Sequence, residues 1–364
     1  MSKCRRKARK GKSNNLSALE VSASDSVHVG IDVHKRSYHV GVLINDDPIR
    51  TFVIPADSSK VIEFLRPLEA GLVRIVYEAG PTGYWLARAF QEIGWPIEIV
   101  APGKIARPAN RGSTTDRLAC TDLAQLSKEK DKLKKVAIPT VQEEQDRQII
   151  RLRAQIKKKE KRVKQQIKSL LLQYGIEAPP GLSRWSRAGV KALAALEINP
   201  DLRFVLDSFL AELECLIRER QKTEDRIKDK AAEERFAKNR AILESHPGVG
   251  LLTTMGFLTE VYQPDRFKEE TQVALYLGLA PGVKQSGERR IAKPLLKAGQ
   301  GPLRCLLIQA AWIWVGSDRH AAEVYRRLVR NTGCKQKAIV GVARRLAINL
   351  WWMLLRGEEY RSAA

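Results

Sequence analysis

Cysteine is scarce in this 364-residue chain. There are five, Cys4, Cys120, Cys215, Cys305 and Cys334, odd in number and scattered, with no Cys-x-x-Cys pair. That speaks against a zinc knuckle or a disulfide framework and fits a reducing cytosol. Long apolar runs are also missing: none approaches the ~18 residues that span a bilayer. The basic N-terminus lacks the apolar segment of a signal peptide. A cytoplasmic protein with no membrane partner is expected. No repeat with a period of ~20–50 residues is evident. Acid is the other shortage, with 41 Asp plus Glu against 64 Lys plus Arg, a net charge of +23. This excess speaks against an enzyme of neutral metabolites and for a polyanionic partner.

What is present is a folded chain, 44% hydrophobic, long enough for two or three domains. The positive charge is concentrated. Residues 3–12 hold seven Lys and Arg and no acid; residues 128–170 hold fifteen basic and six acidic; residues 284–304 hold six basic and one acidic. These segments carry nearly the whole excess and leave the remainder close to neutral in sum. They read as phosphate-contacting surfaces, Lys157, Lys158 and Lys159 among them; the plainer alternative is a solvated helix face and a solubility tail.

Residues 27–33, 38–44 and 49–55 read as strands, with Asn45-Asp46-Asp47-Pro48 as a turn. A helix over 58–69, a strand at 73–78, a helix over 83–93, a strand at 97–101 and a helix over 115–128 follow. Three antiparallel-type strands and then alternating helix and strand is the order of a ribonuclease-H-like α/β domain. Apolar residues at mostly 3–4 spacing predict a long helix over 142–173. Leu202, Leu206, Phe209, Leu213 and Leu216 give a coiled-coil-like seam in a helical stretch over 202–240. The expected organisation is a basic disordered arm (1–26), an α/β domain (27–140), a helical coiled-coil region used for self-association (141–240) and a helix-rich domain (241–364). Leu243 to Gly250 has the pattern of a helix-hairpin-helix, or of an ordinary tight turn.

Asp32 lies near the end of the first strand and Glu78 ends the fourth. These strands are neighbours in a ribonuclease-H-like sheet, so the two acids converge. Asp116 opens the helix after a polar loop and can close over the same point. Three carboxylates there suit hard divalent cations, Mg²⁺ above all. Such ions activate a nucleophile and stabilise the leaving oxygen at a phosphodiester.

Gly30-Ile31-Asp32-Val33-His34-Lys35, Tyr77-Glu78-Ala79-Gly80-Pro81-Thr82-Gly83-Tyr84 and Thr115-Asp116-Arg117 together resemble the DEDD transposases of the IS-one-ten insertion-sequence family. Leu277-Gly278-Leu279-Ala280-Pro281 and Gln285-Ser286-Gly287-Glu288-Arg289-Arg290 resemble the same family's second domain. The resemblance implies a RuvC-like metal domain, a coiled-coil dimerisation region and a C-terminal domain with a catalytic serine, here Ser286. It implies guidance by a structured noncoding bridge RNA that pairs with donor and target double-stranded DNA. It also implies a serine–DNA intermediate made by the metal domain of one subunit and the serine of another. A homo-oligomer follows, a dimer or a synaptic tetramer, acting at the bacterial nucleoid. Lys284, Arg289, Arg290 and Lys293 surround Ser286 in sequence and can offset phosphate charge.

One position departs from the pattern. The family's fourth acid usually stands three residues after the third, and here that position is Ala119. Asp122 is a poor substitute, since it lies ~120° around the helix from Asp116 whereas position 119 lies ~60° away. A methyl cannot ligate Mg²⁺, so the expectation is a chain that binds nucleic acid and cleaves poorly, whether the replacement is natural or introduced. A free-standing RuvC-type junction resolvase, which leaves the Ser286 region unexplained, and a non-catalytic nucleic-acid scaffold are the alternatives.

Overall fold

The structure is a computed structural model. It describes residues 21–102, 115–129, 134–286, 289–295 and 299–362, and between 282 and 294 the backbone alone. The basic segment at 3–12, most of the polar loop at 107–115, and Gly287 and Glu288 of the serine motif lie outside the described residues. The chain divides into two compact units at Pro139/Thr140.

The first unit is built on a six-stranded sheet. Its strands are β1 (Val27–Val33), β2 (Ser37–Ile44), β3 (Arg50–Pro55), β4 (Leu72–Glu78), β5 (Ile97–Val100) and β6 (Lys135–Val136). The order is β3-β2-β1-β4-β5-β6. β2 pairs antiparallel with both β1 and β3, while β4 runs parallel to β1 and β5. This mixed sheet is consistent with a ribonuclease-H-like fold. β6, too short to show in the sequence, adds antiparallel to β5.

β1 is buried along most of its length because both faces of the sheet are covered. Val29, Ile31, Ile75 and Tyr77 join one core with residues of α1 (Ser58–Leu65) and α2 (Trp85–Glu92). Val76 and Val100, on the other face, pack against Leu123 of α3 (Asp116–Ser127). Asp57 caps α1, its carboxylate accepting from the Ser59 and Lys60 N–H groups.

The second unit is helical apart from one hairpin. It opens on a capping box. The Thr140 hydroxyl accepts from the Glu143 N–H, and the Glu143 carboxylate accepts from the Thr140 N–H, starting α4 (Val141–Gln173). After α5 (Arg187–Ala194) comes α6 (Pro200–Ala231), which lies antiparallel on α4. The expected helix over 202–240 is broken: α6 stops at Ala231 and α7 (Glu234–Glu244) begins anew.

The leucine seam forms, but inside the chain. Leu206 and Leu213 are fully buried in a cluster with Val163, Ile167 and Leu171 of α4. They are therefore taken by their own chain and do not face a second copy. Beside the leucines runs an ionic ladder, Arg153–Glu224 at 2.8 Å, Arg220–Glu160 at 3.2 Å and Lys230–Asp146 at 3.2 Å.

The remaining elements are α8 (Leu251–Glu260), α9 (Glu270–Tyr276), β7 (Pro281–Ser286), β8 (Arg289–Leu295), α10 (Gly301–Ser317), α11 (Arg319–Thr332) and α12 (Lys335–Arg356). The hairpin of β7 and β8 sits in a region expected to be helical. In the Leu243–Gly250 turn, Gly248 is explained by packing. A Cβ there would lie 2.5 Å from the Ala310 carbonyl oxygen of α10. α12, though interrupted by Arg344 and Arg345, is long and apolar enough to cross a bilayer by length and composition, yet half of that window is buried. Leu346, Leu350 and Trp351 form the centre of the C-terminal core. The described cysteines are all free thiols.

Candidate functional site

The site is organised by two glycines. Gly30 of β1 and Gly41 of β2 are directly paired, and α3 lies across them. A Cβ at Gly30 would stand 2.2 Å from the Ala124 nitrogen and 2.4 Å from the Cys120 carbonyl oxygen; at Gly41 it would stand 2.7 Å from that oxygen. Neither glycine has a positive φ, so space alone demands them. The helix backbone thus rests directly on the sheet, and its first turn is held over the ends of β1 and β2.

That first turn carries Asp116. Thr115 caps it, its hydroxyl accepting from the Leu118 N–H at 3.4 Å. Asp32 sits opposite His39 in the β1–β2 register, so both point to the face that α3 covers. His34 follows two residues after Asp32. The His34 Nε2 is 3.3 Å from Asp32 Oδ2 and 3.4 Å from Asp116 Oδ1. The His39 Nε2 is 3.4 Å from Asp116 Oδ2. Ligand atoms of Asp32, His34 and Asp116 lie within 4.8 Å of one another, all at least partly exposed. Two carboxylate oxygens and an imidazole nitrogen at this spacing fit a divalent cation.

Of the expected acids, Asp32 and Asp116 are therefore brought together. Glu78 ends the neighbouring strand: the register Ile31↔Tyr77 sets it beside Asp32 in sequence along the sheet, outside the 4.8 Å cluster. Ala119 is half-buried in α3, one turn after Asp116. Cys120 next to it is no nucleophile, since burial first and the Asp32 charge second push its thiol up to about 11. The two histidines were missed by sequence reasoning. Their signal was scarcity: of five histidines in the chain, two fall within residues 34–39.

In the second unit, Ser286 ends β7 and pairs in register with Arg289, which begins β8; Gln285 pairs with Arg290 and Lys284 with Ile291. Lys293 lies further along β8. Lys157, Lys158 and Lys159 are exposed on α4. Lys157 and Lys158, with Arg151 and Lys161, border a groove of about 720 Å³ between α4, α8 and α10. Arg151 is engaged by Glu260 at 2.9 Å, and neighbouring Arg153 and Lys164 by Glu224 and Glu160. Burial raises the Glu160 carboxyl, but Lys164, Lys157 and Arg220 together outweigh this and hold it below the usual range.

Comparison with known proteins covers both units. A DEDD transposase profile of the IS110 type matches residues 29–176, which include Asp32, Glu78, Asp116 and Ala119. A second profile, described as the transposase IS116/IS110/IS902 family, matches residues 240–326, which include Ser286. The transposase for insertion sequence element IS1111A of Coxiella burnetii is 23% identical over 312 residues, 84% of each chain. The protein y4rJ of Sinorhizobium fredii is 30% identical over 299 residues, 76% of each chain. Its y4qE is 28% identical over 243 residues, 66% of this chain, and the match spans only 58% of the length of y4qE. With one profile matched over most of the first unit and α4, a second over residues 240–326, and a relative aligned over three quarters of each chain, the protein belongs to the IS110/IS116/IS902 family of insertion-sequence transposases, enzymes of DNA transposition.

Proposed function

We propose that this chain is an RNA-guided DNA recombinase whose RuvC-like unit activates a phosphodiester at the Asp32–His34–Asp116 cluster. The convergence of these three side chains under a helix seated on glycines supports the reading most directly. Asp32 and Asp116 supply negative charge on two walls of the site, and Glu78 supplies a third carboxylate from the adjacent strand. His34 adds a nitrogen donor to the two aspartates. A divalent cation, Mg²⁺ in this reading, supplies Lewis-acid polarisation and neutralises developing charge.

The strand is attacked by Ser286. Its Oγ bonds to phosphorus as the bond from phosphorus to the strand oxygen breaks; the serine proton passes to water, and the displaced oxygen takes up a proton from water and leaves as a hydroxyl. Lys284, Arg289, Arg290 and Lys293 lie on the same hairpin and offset phosphate charge. Lys157, Lys158 and Lys159 take the backbone of the guide RNA or of the DNA. Self-association, which the reaction requires, uses surfaces other than Leu206 and Leu213. Ala119 makes cleavage slow without abolishing nucleic-acid binding.

The test uses the purified full chain with any co-purified RNA sequenced, labelled donor and target DNA, Mg²⁺ and a denaturing gel. A single defined RNA and a slow-migrating protein–DNA adduct are expected, with Ser286→Ala removing the adduct and Ala119→Asp increasing it about 10-fold or more. An adduct that survives Ser286→Ala overturns the serine assignment. Mixed or absent RNA overturns the guidance.

A further inference from the structure

The near-neutral sum of the chain outside its three basic segments hides a fourth. Residues 319–345 hold eight Lys and Arg against one acid, Glu323. They fold into α11 and the start of α12. Ala321 and Val324 bury one side of α11. Arg326 and Arg330, four residues apart, stand exposed on the other, about 6 Å apart along the axis. The turn at Gly333, which takes a positive φ, brings Lys335 and Arg345 of α12 to the same hollow. The result is a cleft of about 980 Å³ bordered by His320, Arg326, Arg327, Arg330, Lys335 and Arg345. A second hollow of about 560 Å³ continues it, sharing His320 and Arg345.

These charges are not neutralised within the fold. Glu323 is taken by Arg319 at 3.3 Å. Among the described residues, Arg326, Arg327, Arg330, Lys335 and Arg345 have no ion-pair partner. The α4 helix is different, because there Arg151, Arg153 and Lys164 are answered by Glu260, Glu224 and Glu160. Uncompensated arginines raised on a helix and gathered into one cleft carry a self-repulsion that a phosphate-rich partner relieves. Arginine also offers forked donors that grip phosphate oxygens two at a time. Tyr325, which lines the cleft, is occupied edge-on by Trp312, with centroids 5.4 Å apart, and gives no open platform for unstacked bases.

We infer that the α11–α12 cleft binds the phosphate backbone of double-stranded DNA, at a site separate from the acidic cluster and the Ser286 hairpin. The choice of DNA rests on the reading of the chain as a transposase. Most of the cleft's cations, Arg327, Arg330, Lys335 and Arg345, lie beyond the segment that the C-terminal family profile matches.

The experiment measures fluorescence anisotropy of the full chain with a random-sequence DNA duplex and, separately, an RNA stem-loop of equal length, at several salt concentrations without divalent metal. Arg326→Gln with Arg330→Gln should weaken duplex binding about 10-fold and lower the slope of log K against log salt by roughly 1.8, about 0.9 for each phosphate no longer neutralised. Arg326→Lys with Arg330→Lys, which keeps the charge, should restore most of the slope. Unchanged affinity and slope for the duplex overturn the proposal, as does a loss confined to the RNA. Because the readout is binding without metal, it stands apart from failure of the cleavage chemistry, which Asp116→Asn reports in the gel assay.

Discussion

Two helices in this protein are packed close by opposite means. The α3 helix approaches β1 and β2 by the removal of side chains, with Gly30 and Gly41 letting backbone meet backbone. The α4 helix meets α6 by the addition of them, through buried leucines and a ladder of ion pairs. The first arrangement leaves no slack, and it holds Asp116 over Asp32. The second has many interdigitating atoms and can adjust each a little, and it holds no cluster of metal-ligating groups. Rigid placement of reactive groups and robust cohesion are thus assigned to different interfaces.

The comparison is broken most strongly at Leu213. Leu213→Asp should destabilise the second unit by about 3–5 kcal/mol, because the carboxylate is buried without a partner. Denaturant melting of the full chain should show it, with Mn²⁺ binding by the first unit retained. If the seam instead joined two copies, mass by light scattering would fall while the melting transition stayed put. Gly30→Ala should cost about 3 kcal/mol, since the clash is with helix backbone that cannot rotate away. Unlike the leucine change it should also abolish Mn²⁺ binding measured by electron paramagnetic resonance.

A third kind of packing is the enclosed ring of His246, between Trp314 and Tyr360. Burial lowers its pKa from 6.5 to about 4. The unfolded chain therefore takes up a proton that the folded one refuses. Stability from this group is whole above pH ~6.5 and falls as pH drops toward ~4, by roughly 3 kcal/mol in all. His246→Phe should flatten that part of the melting-temperature profile; an unaltered acid slope would show that other groups set it. A smaller effect is expected at the acidic cluster, where His34→Ala should weaken Mn²⁺ affinity about 10-fold and leave the melting temperature nearly unchanged. Smallest for stability, within ~0.5 kcal/mol, is the joint change of Lys157, Lys158 and Lys159 to Gln, all three being exposed. It should still lower the salt slope of nucleic-acid binding; an unchanged slope would mean that this face is merely solvated.

The positions of β1 to β5 were legible almost to the residue, because each apolar run is bounded by polar turns and both sheet faces are covered, whereas β6, β7 and β8 were not. Asp32 and Asp116 were legible for a related reason: Asp32 closes a strand, and Asp116 opens the helix that returns over the same end of the sheet. His34 and His39 were not, since their role depends on a register in which residue 39 faces residue 32. The seam at Leu206 and Leu213 had the right periodicity and the wrong partner. Spacing of 4-3-4-3 says that a helix faces another helix, and nothing in it distinguishes the same chain from a second copy. The break between Ala231 and Glu234 carries no Pro or Gly to announce it. Charge at 319–345 was concealed by summing it with the slightly acidic remainder of the chain, a reminder that net charge describes a whole chain and binding describes one face of it.

The position of α12 bears on how the protein comes to exist. Its residues Leu346, Leu350 and Trp351 lie at the centre of a core that also draws on α7, α8, α9, α10 and α11. A ribosome delivers those earlier helices first and α12 after them. Until it arrives, the nascent C-terminal unit is a shell around a missing centre, its apolar faces open to chaperones and proteases. A product that ends before α12 has no folded C-terminal unit to place on DNA, so the Ser286 hairpin gains its scaffold only when synthesis has passed this helix. Acquisition of transposase activity is in this sense tied to a late step of translation rather than growing gradually with chain length.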